Sequence, residues 1–308
     1  MRRFLIDTDT ASDDAVALVM ALRHPDVHVE AITLVAGNVP VDQGLQNALY
    51  TVQLCERDTP VYRGMDRPLL RPLGTAEYVH GQDGLGDIGL PLSGRKPADG
   101  HAVDVIVDLI NENPGEITLI SIGPLTNLAM ALLRDPSIAD KVPEYFMMGG
   151  IGYGYGNVTP VAEYNIWVDP EAAKIVFDSG LPITMIGWDI SRLYAVLEEE
   201  EVQQMRATGT PLANFCIDIQ GALTEYAVHV SHLKNFDLPD PIAMAVALDG
   251  SVVTEEKRLH VDVETVSELC RGQTVVDHLG VNGKVPNTNV ILAASRDRFL
   301  EMLFDSVR

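Results

Sequence analysis

Short apolar runs along the chain alternate with segments whose apolar residues recur every three or four positions, and these two patterns predict strands and helices respectively. The predicted strands are residues 4–6, 27–35, 60–62, 117–122, 145–148 and 183–186. The predicted helices are residues 42–55, 102–111, 197–206 and 213–232, with others beginning near residues 15, 127, 170 and 296. Because strands alternate with helices, we expect an α/β fold whose mostly parallel, doubly wound, Rossmann-like sheet has helices on both faces.

One long segment, residues 64–100, interrupts this alternation and is rich in Gly, Pro and Asp. A loop of this length inside a domain is usually functional or disordered, so it is a candidate for closing over a ligand. No internal repeat or low-complexity linker divides the chain, and we therefore expect one domain that spans residues 1–308.

The composition narrows the classes of partner. Asp and Glu outnumber Lys and Arg by 44 to 22, and the formal net charge is -22. A chain this acidic, with no basic stripe, is expected to bind neither nucleic acid nor an anionic membrane, and no apolar run approaches transmembrane length. Three cysteines that lie far apart predict free thiols and a cytoplasmic protein.

Four aspartates follow the first predicted strand within eight residues: Asp7, Asp9, Asp13 and Asp14. The loop between a strand and the next helix lies at the carboxyl edge of a parallel sheet, where open α/β folds bind ligands. Like charges this close repel one another unless a cation neutralises them. Calcium or magnesium suits such a set of carboxylates better than zinc does.

Three other interpretations of the opening aspartates were considered. A solvated acidic turn that caps the next helix is the simplest. An EF-hand loop beginning at Asp7 would need Gly at Ser12 and Glu at Leu18, so that interpretation fails. A haloacid-dehalogenase-type phosphatase, with Asp7 as its phosphorylated residue and magnesium as its metal, would require Thr where Ala11 stands.

Further residues with functional side chains or backbone groups occur where other predicted strands end. Asn38 follows the second strand, Ile122 ends residues 117–122, and Met148 ends residues 145–148. Because the carboxyl ends of parallel strands meet at one edge of the sheet, these residues are expected to converge with the aspartates. This convergence predicts a site for a metal or a sugar.

The same motifs resemble those of the calcium-dependent nucleoside hydrolases of the inosine-uridine preferring type. They occur in the family's order between residues 3 and 250: Asp7-Thr-Asp9 with Asp13-Asp14, Ala36-Gly-Asn38, Gly123-Pro-Leu-Thr-Asn127, Met148-Gly-Gly150, Asn157, Glu163-Tyr-Asn165, Asp169-Pro-Glu-Ala and Asp240. Members of this family are dimers or tetramers that hydrolyse ribonucleosides to free base and ribose. The resemblance therefore implies an N-ribohydrolase of purine or pyrimidine salvage that forms a homodimer or homotetramer.

Residue by residue, the resemblance implies calcium held by Asp9, Asp14, Asp240 and the main-chain carbonyl of Ile122, with Asp9 as the base that activates a calcium-bound water. The ribose would be held by Asp13, Asn38, Met148, Asn157, Glu163 and Asn165, with Asn157 and Glu163 near the 5′-hydroxyl and Met148 beneath the sugar. A site rich in carboxylates suits this reaction, because positive charge develops on the ribose as the bond breaks.

The chain departs from the family pattern where many members carry a histidine that protonates the departing base, because Pro239 occupies that position. Tyr226 and His229, at helical spacing upstream, are the candidate replacements. His80, in the long loop, is a further candidate contact to the substrate. Pro239 leaves open a nicotinamide or modified-base riboside as the substrate, and a calcium-dependent nucleoside-binding protein without catalysis is a third possibility.

Overall fold

Ten strands form the β-structure of the computed structural model, which describes residues 1–308. Their bounds are β1 Arg2–Thr8, β2 Val27–Leu34, β3 Val61–Arg63, β4 Ile117–Ser121, β5 Glu144–Met148, β6 Ile183–Ile186, β7 Val253–Leu259, β8 Val261–Val263, β9 Thr274–Val276 and β10 Thr288–Ala294. Eight of them form one sheet, and β8 pairs with β9 in a small antiparallel ladder.

Thirteen α-helices connect and cover the strands. They are α1 Ser12–Arg23, α2 Val41–Leu54, α3 Glu77–His80, α4 Ala102–Glu112, α5 Thr126–Arg134, α6 Tyr164–Val168, α7 Pro170–Phe177, α8 Trp188–Tyr194, α9 Glu199–Ala207, α10 Pro211–Asp218, α11 Gly221–His229, α12 Pro239–Leu248 and α13 Arg296–Ser306. None of these helices is long and apolar enough to cross a lipid bilayer.

The central sheet has the strand order β3-β2-β1-β4-β5-β6-β10-β7. All neighbouring pairs are parallel except β10 and β7, so β7 is an antiparallel edge strand. Buried apolar side chains fill both faces of the sheet: one cluster includes residues of α1, α2, α12 and α13, and a second includes residues of α4, α5 and α7. The predicted mostly parallel, doubly wound α/β fold is confirmed.

The order of the strands reverses between β1 and β4. The chain moves from β1 outward to β2 and β3, then returns to β4 on the other side of β1 and continues outward to β5 and β6. In an open parallel sheet, the loops on either side of such a reversal leave a crevice at the carboxyl ends of the strands. This crevice receives the loop after β1, which carries the opening aspartates, and the loop after β4, which begins at Ile122.

Two predicted elements differ from those in the structure. Residues 213–232, predicted as one helix, form two helices that are separated at Ile219 and Gln220. Gln220 is buried and its side-chain amide donates to the carbonyl oxygens of Ser12 and Cys216, so a long-range hydrogen bond fixes the break. Residues 64–100, predicted as a loop without helical structure, contain the single turn α3.

Candidate active site

All four opening aspartates are buried, with exposed fractions of 0 to 6%. The interpretation as a solvated acidic turn is therefore wrong. Asp14 lies in the first turn of α1, where one carboxylate oxygen accepts from the amide of Ala11 at 2.9 Å and the other from the Thr8 hydroxyl at 2.6 Å. These contacts fix Asp14 at the carboxyl end of β1.

Asp7 supports the site from behind. Its Oδ1 accepts from the Thr33 hydroxyl at 2.6 Å and from the side-chain amide of Asn127 at 2.8 Å. Asn127 also donates to the carbonyl of Leu34, so it links β1 to the end of β2. Asp7 is fully buried, and these two donors hold its Oδ1, so we interpret it as a supporting residue of the site.

Asp9 lies where two glycines approach it closely. The amide of Asn38 donates to Asp9 Oδ2 at 2.5 Å. A Cβ atom on Gly37 would collide with the same oxygen, and one on Gly123 would lie 2.8 Å from Asp9 Oδ1. Any residue larger than glycine at either position would collide with the carboxylate, so the loops after β2 and β4 pack directly against Asp9.

A buried cluster of carboxylates lies in front of Asp9. Oxygen atoms of Asp13, Asp14 and Asp240 all lie within 4.8 Å of one another. Asp240 is in the first turn of α12, and the packing of α12 against α1 brings it to the opening aspartates. Asp240 is not the N-cap of this helix, since that position is Leu238, so a capping role does not explain it.

Burial and mutual repulsion perturb the acidity of the whole cluster. Burial raises the pKa of both Asp13 and Asp14 to about 6. The pKa of Asp9 lies well above its ordinary value because of burial and the neighbouring Asp14, and that of Asp240 because of burial and the neighbouring Asp13 and Asp14. Without a positive charge, these residues resist ionisation, as expected for like charges in a medium of low polarity.

Several buried oxygens here accept no hydrogen bond from the protein: Asp9 Oδ1, Asp13 Oδ1, Asn157 Oδ1 and Asn165 Oδ1. Buried polar atoms are normally paired. Carboxylate and amide oxygens without hydrogen-bond partners are the ligands that a hard divalent cation prefers. They can also accept hydrogen bonds from the hydroxyl groups of a bound sugar. The residues of this cluster therefore fit a divalent metal ion.

All the residues predicted to hold the ribose line one cavity: Asp13, Asn38, Met148, Asn157, Glu163 and Asn165. Of the predicted metal ligands, Ile122 and Asp240 line the same cavity, and Asp9 and Asp14 do not. The Glu163 side chain accepts from the amides of Gly150 and Asn165, both at 2.7 Å. The Asn165 amide donates to the carbonyls of Ile122 and Met148, both at 3.3 Å. This network connects α6 to the ends of β4 and β5.

His80 also lines the cavity, at the end of α3. Its Nδ1 is hydrogen-bonded to the Ser12 hydroxyl at 2.8 Å and lies 3.8 Å from Asp13 Oδ1. Burial lowers the pKa of His80 to about 4, so the ring is neutral at pH 7. A neutral ring suits His80 for hydrogen bonding to a substrate rather than for donating a proton from a charged form.

The wall opposite the sugar residues is largely aromatic and apolar. Tyr226 on α11 lines it, and the ring of Tyr78 contacts Tyr226 edge to face with 5.6 Å between the ring centroids. Trp188 at the start of α8 and the buried Asp237 complete this part of the wall. Sequence patterns indicated only Tyr226, because the other three side chains belong to short helices and connections whose path depends on tertiary packing.

His229 is not brought to the cavity, and the prediction that it serves as the acid is not retained. Its side chain is 72% exposed and pairs with the exposed Glu225 one turn earlier on α11. Residues three apart differ by about 60° around the helix axis, so His229 and Tyr226 share one side of α11. Only Tyr226 lies where that side meets the cavity, and His229, one turn later, lies in solvent.

We expect the substitution His229→Ala to change kcat/KM for inosine and uridine by less than about threefold, since exposed side chains away from a site contribute little. Steady-state release of ribose by the two proteins measures this. A loss of tenfold or more, with an unchanged melting temperature, would return His229 to the mechanism.

Comparisons with known proteins agree with this geometry. A family model described as "Inosine-uridine preferring nucleoside hydrolase" matches residues 4–301. The pyrimidine-specific ribonucleoside hydrolase RihB of Escherichia coli (strain SE11) is 36% identical over 308 residues, which is 100% of this chain and 97% of that protein.

Solved structures with the same fold include a plant nucleoside hydrolase, PpNRh1, at a TM-score of 0.93 and 32% identity, covering 99% of this chain and 98% of that one. A purine-preferring ribonucleoside hydrolase from Gardnerella vaginalis matches with a TM-score of 0.91 and 33% identity over 99% and 98% of the two chains. The relatives differ in the base that their names record, so similarity alone does not assign one here.

Proposed function

The chain belongs to the inosine-uridine preferring nucleoside hydrolases and hydrolyses ribonucleosides to free base and ribose; we propose that it does so with calcium, using Asp9 as the general base. The observation that carries this proposal is the buried cluster of Asp13, Asp14 and Asp240, beside an Asp9 oxygen that accepts no hydrogen bond. Buried charges persist in proteins when they are paired or when they coordinate a metal.

Calcium fits the available donors better than smaller cations do. We assign as its ligands Asp9, Asp14, Asp240 and the carbonyl oxygen of Ile122. Ile122 lines the cavity, and its carbonyl accepts from the side-chain amide of Asn165 at 3.3 Å. Calcium takes six to eight oxygen ligands in flexible geometry, so protein oxygens and substrate hydroxyls can bind together. When bound, it would supply charge that lowers the pKa of water and orients the ribose.

Asp9 is built to accept a proton in a fixed direction. Asn38 donates to Oδ2, the backbone at Gly37 and Gly123 packs against the carboxylate, and Oδ1 accepts no hydrogen bond. In the proposed reaction, Oδ1 takes a proton from the attacking water as the water oxygen bonds to C1′ and the bond from C1′ to the base breaks. Positioning of this kind is what general base catalysis requires.

The remaining carboxylates act on the sugar. We propose that Asp13, Asn38 and Asn165 hold ribose hydroxyls, that Asn157 and Glu163 contact the 5′-hydroxyl, and that Met148 packs beneath the ring. His80 would contribute a further hydrogen bond and Tyr226 would contact the base. Positive charge that develops on the ribose is then surrounded by fixed negative charge in a medium of low polarity, which stabilises the transition state.

A panel of ribonucleosides, assayed for free ribose with and without a chelator, tests the proposed calcium dependence. Inosine, uridine, cytidine, adenosine and a nicotinamide riboside cover the plausible leaving groups. We expect ribose release from at least one common nucleoside, loss of activity in chelator, and recovery when calcium is added back. Full activity in chelator would refute the metal assignment, and binding of nucleosides without ribose release would indicate a binding protein.

The acidity of the cluster predicts how stability depends on pH. Asp13 and Asp14, with pKa values near 6 in the folded protein against 3.8 ordinarily, bind more protons when folded than when unfolded. In metal-free protein, stability should therefore fall as the pH rises from 4 through 6, because the folded state must ionise buried groups. We expect the melting temperature of chelator-treated protein to fall by at least ~5 °C between pH 5 and pH 8.

Calcium should reverse this trend, because it binds the ionised carboxylates. The increase in melting temperature on adding calcium should be larger at pH 8 than at pH 5. Scanning calorimetry at both pH values measures it, with potassium chloride of matched ionic strength as the control. Equal increments at the two pH values would show that calcium binds elsewhere.

We also propose a homodimer or homotetramer. Loops next to β8 and β9 carry apolar side chains that are 79 to 88% exposed in the single chain: Val266, Leu269, Leu279, Val281 and Val285. Exposed apolar patches commonly mark interfaces. Light scattering during size exclusion measures the assembly. A cytoplasmic location remains a proposal, supported by three cysteines that form no disulfide.

A further inference from the structure

Asp237 is a buried carboxyl group in the cavity wall that neither the metal site nor the sugar site uses. It precedes α12 by two residues and is held by a bridge to Val196 and by hydrogen bonds of the residues on either side of it, at Phe236 and Leu238. Its exposed fraction is 5%. A carboxyl group that is held this firmly and lines the substrate cavity is a candidate for contact with the substrate.

One hydroxyl group orients Asp237. The Ser191 hydroxyl donates to Oδ2 at 2.7 Å. No arginine or lysine forms an ion pair with Asp237 within 4.0 Å. Arg192 lies over the rings of Tyr155 and Trp188, 4.0 and 4.9 Å from their centroids, and acts on Asp237 only through its charge. The carboxyl group is therefore oriented by a neutral donor and forms no salt bridge.

Asp237 and Pro239 lie close together in the chain, where the bridge at Asp237 ends and α12 begins. Both residues line the cavity, whereas Leu238 between them is buried in the core. Pro239 has no proton to donate, whereas Asp237, two residues earlier and lining the same cavity, carries a carboxyl group.

The surroundings of Asp237 favour the protonated form. Burial raises its pKa above the ordinary value, although the hydrogen bond from Ser191, the Trp188 side chain and the charge of Arg192 act in the opposite direction. The pKa of Asp13 is raised by burial and also by the charge of Asp237. The two carboxyl groups are therefore close enough for one substrate to lie within the electrostatic reach of both. Other candidates for the acid are weaker: His80 is neutral at pH 7, and His229 is outside the cavity.

We propose that Asp237 is the general acid that protonates the departing base. As the bond between C1′ and the base nitrogen breaks, the electron pair stays on the base, and the proton of the Asp237 carboxyl group bonds to a nitrogen or oxygen of the base. Asp237 becomes a carboxylate and regains a proton from solvent after the base leaves. This inference rests on the proposed hydrolysis but concerns only the leaving-group half of the reaction.

The proposal can be tested by comparing substrates whose leaving groups do and do not need a proton in order to depart. Asp237→Asn keeps the shape and an acceptor for Ser191 but removes the acid. We expect kcat/KM for inosine and uridine to fall by at least ~10²-fold, the usual contribution of an acid. Hydrolysis of p-nitrophenyl riboside should change by less than about threefold, because p-nitrophenolate is stable without a proton. Retained activity on this synthetic substrate also shows that calcium, Asp9 and the sugar contacts still function.

The outcomes separate the alternatives. Equal losses of activity on the nucleosides and on p-nitrophenyl riboside would mean that Asp237 holds the sugar or stabilises the fold. Unchanged activity on inosine and uridine would mean that Asp237 has no role in the reaction. Either result overturns the proposal. Glu225→Gln, on the exposed face of α11, is the matched control and should leave both substrates unchanged. If Asp237→Asn does not fold, Asp237→Ser, with a hydroxyl but no acid, carries the same comparison. An inactive wild-type enzyme on every substrate would instead refute the proposed hydrolysis.

Discussion

Loss of the 2′-hydroxyl from the substrate should lower kcat/KM by roughly 10⁴-fold, so that uridine and inosine are hydrolysed while their 2′-deoxy counterparts are nearly inert. The reason is that two buried oxygen atoms of the protein are available to accept a hydrogen bond from this hydroxyl. Asp13 Oδ1 and Asn165 Oδ1 are buried and accept no hydrogen bond from the protein. A substrate that lacks the hydroxyl leaves these buried oxygen atoms, and the proposed calcium, without a partner.

Paired kinetics on each ribonucleoside and its 2′-deoxy form measure this preference, and two variants locate its origin. Asn165→Ala should shrink the ratio at least about tenfold by slowing the ribonucleoside, since it removes one of the contacts that reward the hydroxyl. Asn157→Ala, assigned to the 5′-hydroxyl, should slow both sugars alike. A ratio near one in the unmodified enzyme would contradict the assigned sugar contacts.

Replacement of one carboxylate that we assign to calcium should strongly reduce activity. We expect Asp240→Asn to lower kcat by at least ~10²-fold, which corresponds to roughly 2.7 kcal/mol of transition-state stabilisation. The substitution keeps the size of the side chain but removes a charged oxygen from the cluster formed with Asp13 and Asp14. Calcium affinity, measured by isothermal titration, should fall together with the rate.

Asp249→Asn, at the opposite end of α12, is the matched control. Asp249 is also an aspartate of this helix region, but it pairs with Arg298 at 2.8 Å, away from the cavity. The Asp249→Asn protein should keep both calcium binding and activity. Asp240→Asn protein that binds calcium as tightly as the unmodified enzyme would show that Asp240 is not a ligand, whatever its effect on the rate.

The sequence was informative where chemistry and local structure coincide. Asp9 and Asp14 lie in one strand–loop–helix unit, so their place at the edge of the sheet followed from the pattern of residues 4–22. Asp240 could not be found this way. It reaches the cluster only because α12 packs against α1, more than two hundred residues away in the chain, and the family resemblance alone indicated it.

The predictions failed where tertiary contacts determine which way a side chain points. Helical spacing could not show that His229 faces solvent while Tyr226 faces the cavity. Sequence patterns also could not show that His80, a candidate substrate contact in the long loop, is buried and hydrogen-bonded to Ser12. Asp237 had no distinguishing pattern at all, because a single carboxylate before a proline-containing helix looks like a surface residue until the chain around it is folded.

The close approach of Gly37 and Gly123 to Asp9 limits how the substrate range can be redesigned. Side chains at either position would displace Asp9, the proposed general base, so a mutational library should leave both glycines unchanged. Tyr78, which is 61% exposed, and Tyr226 belong to short helices at the mouth, where a new side chain has solvent beside it. A library that varies only the residues of that wall should alter the accepted base and leave the catalytic residues unchanged.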